Sequence, residues 1–256
     1  MTQFLKRQGK PDLAYVHTPA SGKGGNLPLL MFCGGYKSDM EGTKAQFLET
    51  QCKARGQAYL RFDYSGHGSS GGAFTDGTIS VWRDDALDVL DHVNPAKTPV
   101  ILVGSSMGGW IALLIACARP SQIQALIGIA AAPDFSKKFD VPHITPAQQT
   151  SLEKKGYYEL PNDYSDDPYI VTKDLLEDGA GNFLLNRKHN LRLPIHLLQG
   201  RKDTSVPAET ALAIQSAFGA GNVGITFIDD GDHSLSRPQD LAILDEYIER
   251  FTYGAV

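Results

Sequence analysis

Cysteine is scarce in this sequence, with three residues in 256. So small and odd a number excludes a fold held together by a disulfide framework and predicts reduced thiols. Long apolar runs are also absent: none approaches the roughly 20 residues that a membrane-spanning helix requires. Residues 1–10 have neither the apolar stretch of a secretion signal nor the arginine-rich and serine-rich composition of a transit peptide. We therefore expect no membrane span and a cytoplasmic location.

Concentrated positive charge is missing as well. The formal net charge is −5, and basic residues occur in isolated pairs such as Lys6-Arg7 and Lys137-Lys138. This distribution argues against nucleic-acid binding. Most of the seven histidines are scattered singly, without the spacing of metal ligands. We expect no metal and no organic cofactor, and nothing in the sequence indicates a particular oligomeric state.

What the sequence does contain is a regular alternation of short apolar runs with helical patterns. This alternation predicts an α/β fold with a mostly parallel sheet and helices on both faces. The length fits one such domain with an insertion better than two equal domains. An early hairpin is indicated near residues 14–18. The predicted strands cover residues 27–33, 58–63, 100–104, 125–130, 195–198 and 225–228, and the predicted helices cover residues 42–55, 79–93, 109–118, 208–217 and 238–251.

One region interrupts the alternation. Residues 135–193 show no clear strand pattern, are polar and charged, and contain Tyr157, Tyr158, Tyr164 and Tyr169. Because a structureless loop of this length is unusual in a compact domain, we expect a small helical cap over the active site. An irregular excursion without contact with the site is the alternative. The predicted division is therefore an α/β core of residues 1–134 and 194–256, with a cap insertion of residues 135–193.

The most informative motif is G-x-S-x-G at Gly104, Ser106 and Gly108. The apolar residues 99–103 precede it and the apolar helix pattern of residues 109–116 follows it. A serine on the sharp turn between such a strand and helix is typical of a nucleophile elbow. The glycines fit this prediction because the turn brings two backbones so close that a Cβ would collide. Ser106 is the candidate nucleophile.

A serine hydroxyl needs a base to take its proton and an acid to orient that base. Asp203 lies in the loop after the predicted strand 195–198, and His233 follows the last predicted strand. Active-site residues of open α/β sheets gather at the carboxyl ends of strands, where all three candidates fall. We expect His233 to be the base and Asp203 the acid. Asp134, which also follows a strand, is the alternative acid.

The oxyanion of an acyl-transfer reaction needs two backbone N–H donors. The residue after the nucleophile, Met107, is the first candidate. The second belongs to the glycine-containing loop after the first long parallel strand, where we expect Tyr36, with Gly35 as the alternative. Asp63 to Ser70 also carries polar residues after a strand, but turn chemistry explains them and we interpret this stretch as structural.

With these motifs the chain resembles the α/β-hydrolase superfamily over nearly its whole length. A narrower resemblance links it to the mitochondrial abhydrolase branch described as S-depalmitoylating thioesterases and acyl-glucuronide esterases. This resemblance implies Ser106, Asp203 and His233 as the triad, with Tyr36 and Met107 at the oxyanion hole. It does not extend to the cap. The matching stretches are GGYKSDM at residues 34–40, RFDYSG at 61–66, VGSSMGGW at 103–110 and ARP at 118–120.

The sequence therefore predicts a serine hydrolase that cleaves carboxylic esters or thioesters through an acyl-enzyme. The expected substrate is a small molecule or an acylated protein. An acyltransferase or a peptidase could use the same triad, and a non-catalytic binding protein or partner-binding scaffold of this fold is a further alternative. The complete set of triad candidates argues against the non-catalytic alternatives.

Overall fold

The computed structural model describes residues 1–161 and 168–254. Ten strands lie within these residues: β1 (Gln3–Leu5), β2 (Leu13–Thr18), β3 (Leu29–Cys33), β4 (Tyr59–Phe62), β5 (Val100–Ser105), β6 (Ile123–Ile129), β7 (Tyr157–Leu160), β8 (Tyr169–Thr172), β9 (Ile195–Gly200) and β10 (Val223–Ile228). Eight of them form one sheet in the order β1-β2-β4-β3-β5-β6-β9-β10. The pairs β1–β2 and β2–β4 are antiparallel, and all other pairs in this sheet are parallel.

The helices of the described residues are α1 (Thr43–Arg55), α2 (Ile79–Val93), α3 (Met107–Ala118), α4 (Pro146–Lys155), α5 (Lys173–Gly181), α6 (Ala208–Phe218) and α7 (Pro238–Tyr253). Successive residues of a strand point to opposite faces of a sheet. Met31 therefore packs in the apolar layer that contains residues of α2, α3 and α6, while Leu30 packs in the layer formed with α1 and α7. A parallel sheet covered on both faces explains why its central strands are apolar throughout. The predicted fold class is confirmed.

The segment between β6 and β9 holds a short 3-10 helix (Phe135–Phe139), α4, β7, β8 and α5. A capping box formed by Thr145 and Gln148 begins α4. The two strands pair antiparallel in a separate small sheet. The sequence indicated helices here but no strand, because four-residue strands are too short to display a convincing alternation. Tyr164 lies outside the described residues, and the division of the chain at residues 134 and 194 stays a prediction.

Within residues 1–161 and 168–254, no helix combines the length and apolar character needed to cross a bilayer. In the same part of the chain, no group of three or more histidine, cysteine and carboxylate side chains is arranged to hold a metal ion.

Candidate active site

Ser106 occupies the turn between β5 and α3 with φ of 54° and ψ of −120°. A positive φ is costly for a residue with a Cβ, of the order of 1–3 kcal/mol, and persists only where neighbouring structure enforces it. Here the Ser106 N–H donates to the Ile129 carbonyl at 2.9 Å, and the Ser106 carbonyl accepts from Ala132 N–H at 3.0 Å. The strained turn is thus held by the last residue of the neighbouring strand β6 and by the chain that follows it.

The two motif glycines are sterically required. A Cβ on Gly104 would lie 2.3 Å from the carbonyl oxygen of Gly108. A Cβ on Gly108 would lie 2.1 Å from the carbonyl oxygen of Cys33, at the end of β3. Both obstacles are backbone atoms, which cannot rotate away. The close approach of strand, turn and helix that the sequence predicted is present.

Asp203 and His233 meet beside this turn. His233 Nδ1 lies 2.8 Å from Asp203 Oδ2, and the Asp203 side chain is 0% exposed. The other oxygen, Asp203 Oδ1, accepts from the N–H groups of Ser205 and Val206, each at 2.8 Å. Burial alone would raise the pKa of Asp203, but these hydrogen bonds outweigh burial and hold the pKa below its ordinary value. The carboxylate is therefore ionised and fixed in one orientation.

Asp134, the alternative acid, has different partners. Its Oδ1 accepts from Leu184 N–H at 2.7 Å, and its Oδ2 accepts from Leu185 N–H at 3.0 Å. Lys137 Nζ also donates to Oδ2 at 3.0 Å. Asp134 thus ties the end of β6 to the chain between α5 and β9, while Asp203 is the carboxylate bonded to His233.

The two predicted oxyanion donors flank Ser106. Met107 is the first residue of α3, a position whose N–H has no acceptor within its own helix. Tyr36 lies in the turn after β3, and a Cβ built on the preceding Gly35 would be 3.5 Å from the Ser106 Cβ. The loop after β3 therefore passes close to the serine, and the role of Tyr36 and Met107 as oxyanion donors stays a prediction.

The Asp63–Ser70 stretch proves to be connected to this loop. His67 Nε2 accepts the Lys37 N–H at 3.2 Å, and Asp63 Oδ1 accepts the Met40 N–H at 2.7 Å. Burial lowers the pKa of His67 to about 4, so its imidazole is neutral near pH 7. We interpreted this stretch as structural from its turn residues, and no local pattern indicates which backbone groups it contacts.

Two cavities meet at Ser106 and His233, and both are also lined by Tyr36 and Tyr169. Both cavities expose more apolar than polar surface, and they differ in the side chains that they do not share. The cavity of about 500 Å³ has Lys37, Asp39, Thr43 and Lys44 on its wall. The cavity of about 310 Å³ has Phe135, Phe139, Leu160 and Val206, together with Lys138, Thr204 and Ser205.

Lys44 was missed by sequence reasoning. It lies on α1, and its Nζ donates to the Ser234 carbonyl and, at 3.2 Å, to Ser236 Oγ. Burial lowers the pKa of Lys44 to about 8. This lysine holds the loop that carries His233, and no local motif marks it because its partners lie about 190 residues away.

The fold and the site define an α/β hydrolase: a parallel sheet with a serine on a strand–helix turn, followed along the chain by an acid and a histidine after later strands. Residues 28–174 match the Hydrolase_4 family model, described as serine aminopeptidase, S33. The chain belongs to this family of serine hydrolases.

Relatives that match nearly the whole chain support the same assignment to a hydrolase family. The mouse mitochondrial palmitoyl-protein thioesterase ABHD10 is 36% identical over 256 residues, covering 97% of this chain and 83% of the relative. The crystal structure of a putative hydrolase from Agrobacterium vitis S4 superposes with a TM-score of 0.92 at 38% identity, covering 98% of each chain. The structure of mouse α/β hydrolase domain-containing protein 10 superposes with a TM-score of 0.88 at 34% identity and full coverage of both chains.

The predicted cytoplasmic location is wrong by this comparison. The curated relatives that match 97% of the chain, from mouse and human among others, are named as mitochondrial proteins. The expectation rested on the few cysteines, the lack of long apolar runs and the composition of residues 1–10, none of which distinguishes the cytoplasm from the mitochondrial matrix.

Proposed function

We propose that this protein is a serine thioesterase and esterase that uses Ser106, His233 and Asp203 as its catalytic triad. The observation that carries the proposal is the 2.8 Å hydrogen bond between His233 and the fully buried Asp203, beside a serine held at a positive φ. Catalytic triads are recognised by such geometry and by the roles it permits.

In the proposed reaction His233 acts first as a base. Its Nδ1–H donates to Asp203, so the lone pair resides on Nε2 and can take the Ser106 proton. The serine oxygen attacks the acyl carbonyl, and the ionised Asp203 stabilises the imidazolium that forms. His233 then returns the proton to the departing thiol or alcohol. Water repeats the same steps on the acyl-enzyme and releases the carboxylic acid.

The developing oxyanion would be bound by the N–H groups of Met107 and Tyr36. Met107 lies at the N-terminus of α3, where the helix dipole favours negative charge. Loss of one oxyanion donor typically costs about 2.7–4 kcal/mol of transition-state stabilisation. This arrangement suits acyl transfer without a metal or an organic cofactor.

We assign the two halves of the substrate from the side chains that differ between the cavities. The cavity of about 310 Å³, with Phe135, Phe139 and Leu160, suits the hydrocarbon of an acyl group. The cavity of about 500 Å³, with Lys37, Asp39 and Lys44, suits a polar thiol or alcohol leaving group borne by a small molecule or a protein. Relatives named as palmitoyl-protein thioesterases support an acyl thioester as the substrate class.

An aminopeptidase is the second candidate, because the matching family model carries that description and Asp39 supplies a carboxylate beside the site. Such an enzyme would bind the free ammonium of an aminoacyl substrate. It would therefore cleave aminoacyl anilides faster than acyl thioesters.

The test is intact-mass spectrometry after treatment with a fluorophosphonate probe, together with turnover of acyl thioesters, acyl esters and aminoacyl anilides. We expect one adduct in the wild-type protein and none in Ser106→Ala. Ser216→Ala, on α6 and outside both cavities, is the matched control and should label normally. Absence of both an adduct and turnover in folded wild-type protein would overturn the proposal, and faster anilide cleavage would select the aminopeptidase.

A further inference from the structure

The turn that carries the proposed oxyanion donor is held by side chains from two directions. His67 contacts the turn from the side of the α/β core, and the small sheet of β7 and β8 contacts it from the other side. The turn itself is strained, because Lys37 has φ of 57°, in the left-handed region. A strained turn that must aim one N–H at a reacting oxygen needs external support, since a misplacement of about 1 Å can cost about 100-fold in rate.

On the core side the support is an imidazole. The Lys37 N–H can only donate, so the His67 Nε2 at 3.2 Å accepts, and the proton of the neutral ring resides on Nδ1 near the Ser65 carbonyl. The ring is 4% exposed and lies against Trp82, with ring centroids 5.1 Å apart. His67 thereby fixes the plane of the peptide that joins Tyr36 to Lys37.

On the other side the support is the hydroxyl of Tyr36 itself. It donates to the backbone carbonyl of Ile170, in β8, at 2.7 Å. Lys37 Nζ donates to the Pro168 carbonyl just before the same strand, at 3.0 Å. The ring of Tyr36 also contacts the ring of Tyr169, with centroids 5.6 Å apart. Burial raises the pKa of Tyr36, so the hydroxyl keeps its proton and remains a donor.

We propose that the Tyr36 hydroxyl and the His67 imidazole are positioning residues that together aim the Tyr36 N–H at the oxyanion, so that strand β8 of the insertion is part of the catalytic apparatus. This inference rests on the proposed function, because it assigns the Tyr36 N–H to the oxyanion hole. It adds that the side chain of the same residue anchors that N–H to a segment remote in sequence.

The decisive variant is Tyr36→Phe, which removes the hydroxyl and leaves the backbone N–H and the aromatic ring. Tyr158→Phe is the matched control, because Tyr158 also donates to a backbone carbonyl, that of Phe139, within the insertion. Both variants lose one hydroxyl-to-carbonyl hydrogen bond, so we expect similar small decreases in Tm.

The variants should differ in kinetics on an acyl thioester. We expect Tyr36→Phe to lower kcat roughly 10- to 100-fold with little change in KM, because an oxyanion donor acts on the transition state. Affinity for a trifluoromethyl ketone that forms a tetrahedral adduct with Ser106 should fall by a similar factor. Affinity for the product carboxylate should not change. Tyr158→Phe should keep kcat within about twofold of the wild-type value.

The His67 contact is tested with His67→Gln, whose amide oxygen can accept the Lys37 N–H, and His67→Leu, which cannot. We expect kcat to be higher in His67→Gln than in His67→Leu, because only the glutamine retains an acceptor for the Lys37 N–H. Wild-type kcat in Tyr36→Phe, or equal losses in Tyr36→Phe and Tyr158→Phe, would overturn the inference. Failure of the proposed function is distinct, because it would appear as absent labelling and turnover in the wild-type protein.

Discussion

Two carboxylates, Asp134 and Asp203, follow the neighbouring strands β6 and β9, and their hydrogen bonds give them different roles. Asp203 accepts from His233 and from two backbone N–H groups, whereas Asp134 accepts from two backbone N–H groups and Lys137. Residue type and position after a strand are the same in both cases. The distinction depends on which chain segment packs over each carboxylate.

This distinction leads to a prediction with paired substitutions. Asp203→Asn should lower kcat by roughly 10³- to 10⁴-fold, since an amide in place of the carboxylate favours the wrong His233 tautomer. Asp134→Asn should change kcat by only a few fold but lower the free energy of unfolding by about 1–3 kcal/mol, because one buried N–H loses its charged acceptor. Steady-state kinetics and urea denaturation of both variants provide the measurement. The reverse pattern would identify Asp134 as the catalytic acid.

At the scale of secondary-structure elements, the packing of α3 against β3 allows no side chain at Gly108. We expect Gly108→Ala to destabilise the fold by about 3 kcal/mol or more and to abolish turnover, because its Cβ would meet the Cys33 carbonyl oxygen at 2.1 Å. Gly181→Ala is the matched control. Gly181 ends α5 with no atom within 4 Å of its potential Cβ, so this change should be neutral or slightly stabilising. Equal stability of the two variants in urea denaturation would contradict this account of the turn.

The elements that could be predicted from the sequence are those with a local signal. Adjacent in the chain are the strand β5, the turn at Ser106 and the helix α3. Each has its own local signal, namely an apolar run, the G-x-S-x-G motif and a second apolar run, and together these signals predict the whole unit. The contact of Lys37 with His67 spans 30 residues, and that of Tyr36 with Ile170 spans 134. No sequence pattern within one element encodes such pairs, because they depend on how separate segments of the chain pack together.

Short strands limit prediction in the same way. β7 and β8 are four residues each, and they are stabilised by pairing with each other and by a small apolar cluster around Tyr158, Val171 and Leu176. The members of that cluster come from separate elements. Their common environment follows from the tertiary fold and is invisible in a local window.

On the scale of the whole molecule, two histidines in different parts of the fold, the buried His67 and the partly buried His196, link stability to pH. His67 lies beside the loop after β3, and His196, in β9, stacks on Tyr247 and bonds to Thr226 Oγ1 at 2.9 Å. Burial lowers the pKa of each to about 4, from an ordinary value of 6.5. Between these two values the unfolded chain binds protons that the folded chain does not. The contribution of these histidines to the free energy of unfolding is therefore fully present above about pH 6.5 and is lost as the pH falls toward 4.

We expect the free energy of unfolding to fall with decreasing pH across this window, with a slope of up to about 1.4 kcal/mol per pH unit from His67 and a smaller one from His196, which solvent partly screens. Replacing His196 with glutamine removes one titrating group and retains a polar partner for Thr226. His196→Gln should therefore show a shallower slope than the wild-type protein, whatever its stability at neutral pH. Urea denaturation at intervals between pH 4 and 7 measures both slopes. Parallel curves would mean that His196 does not contribute to the pH dependence of stability.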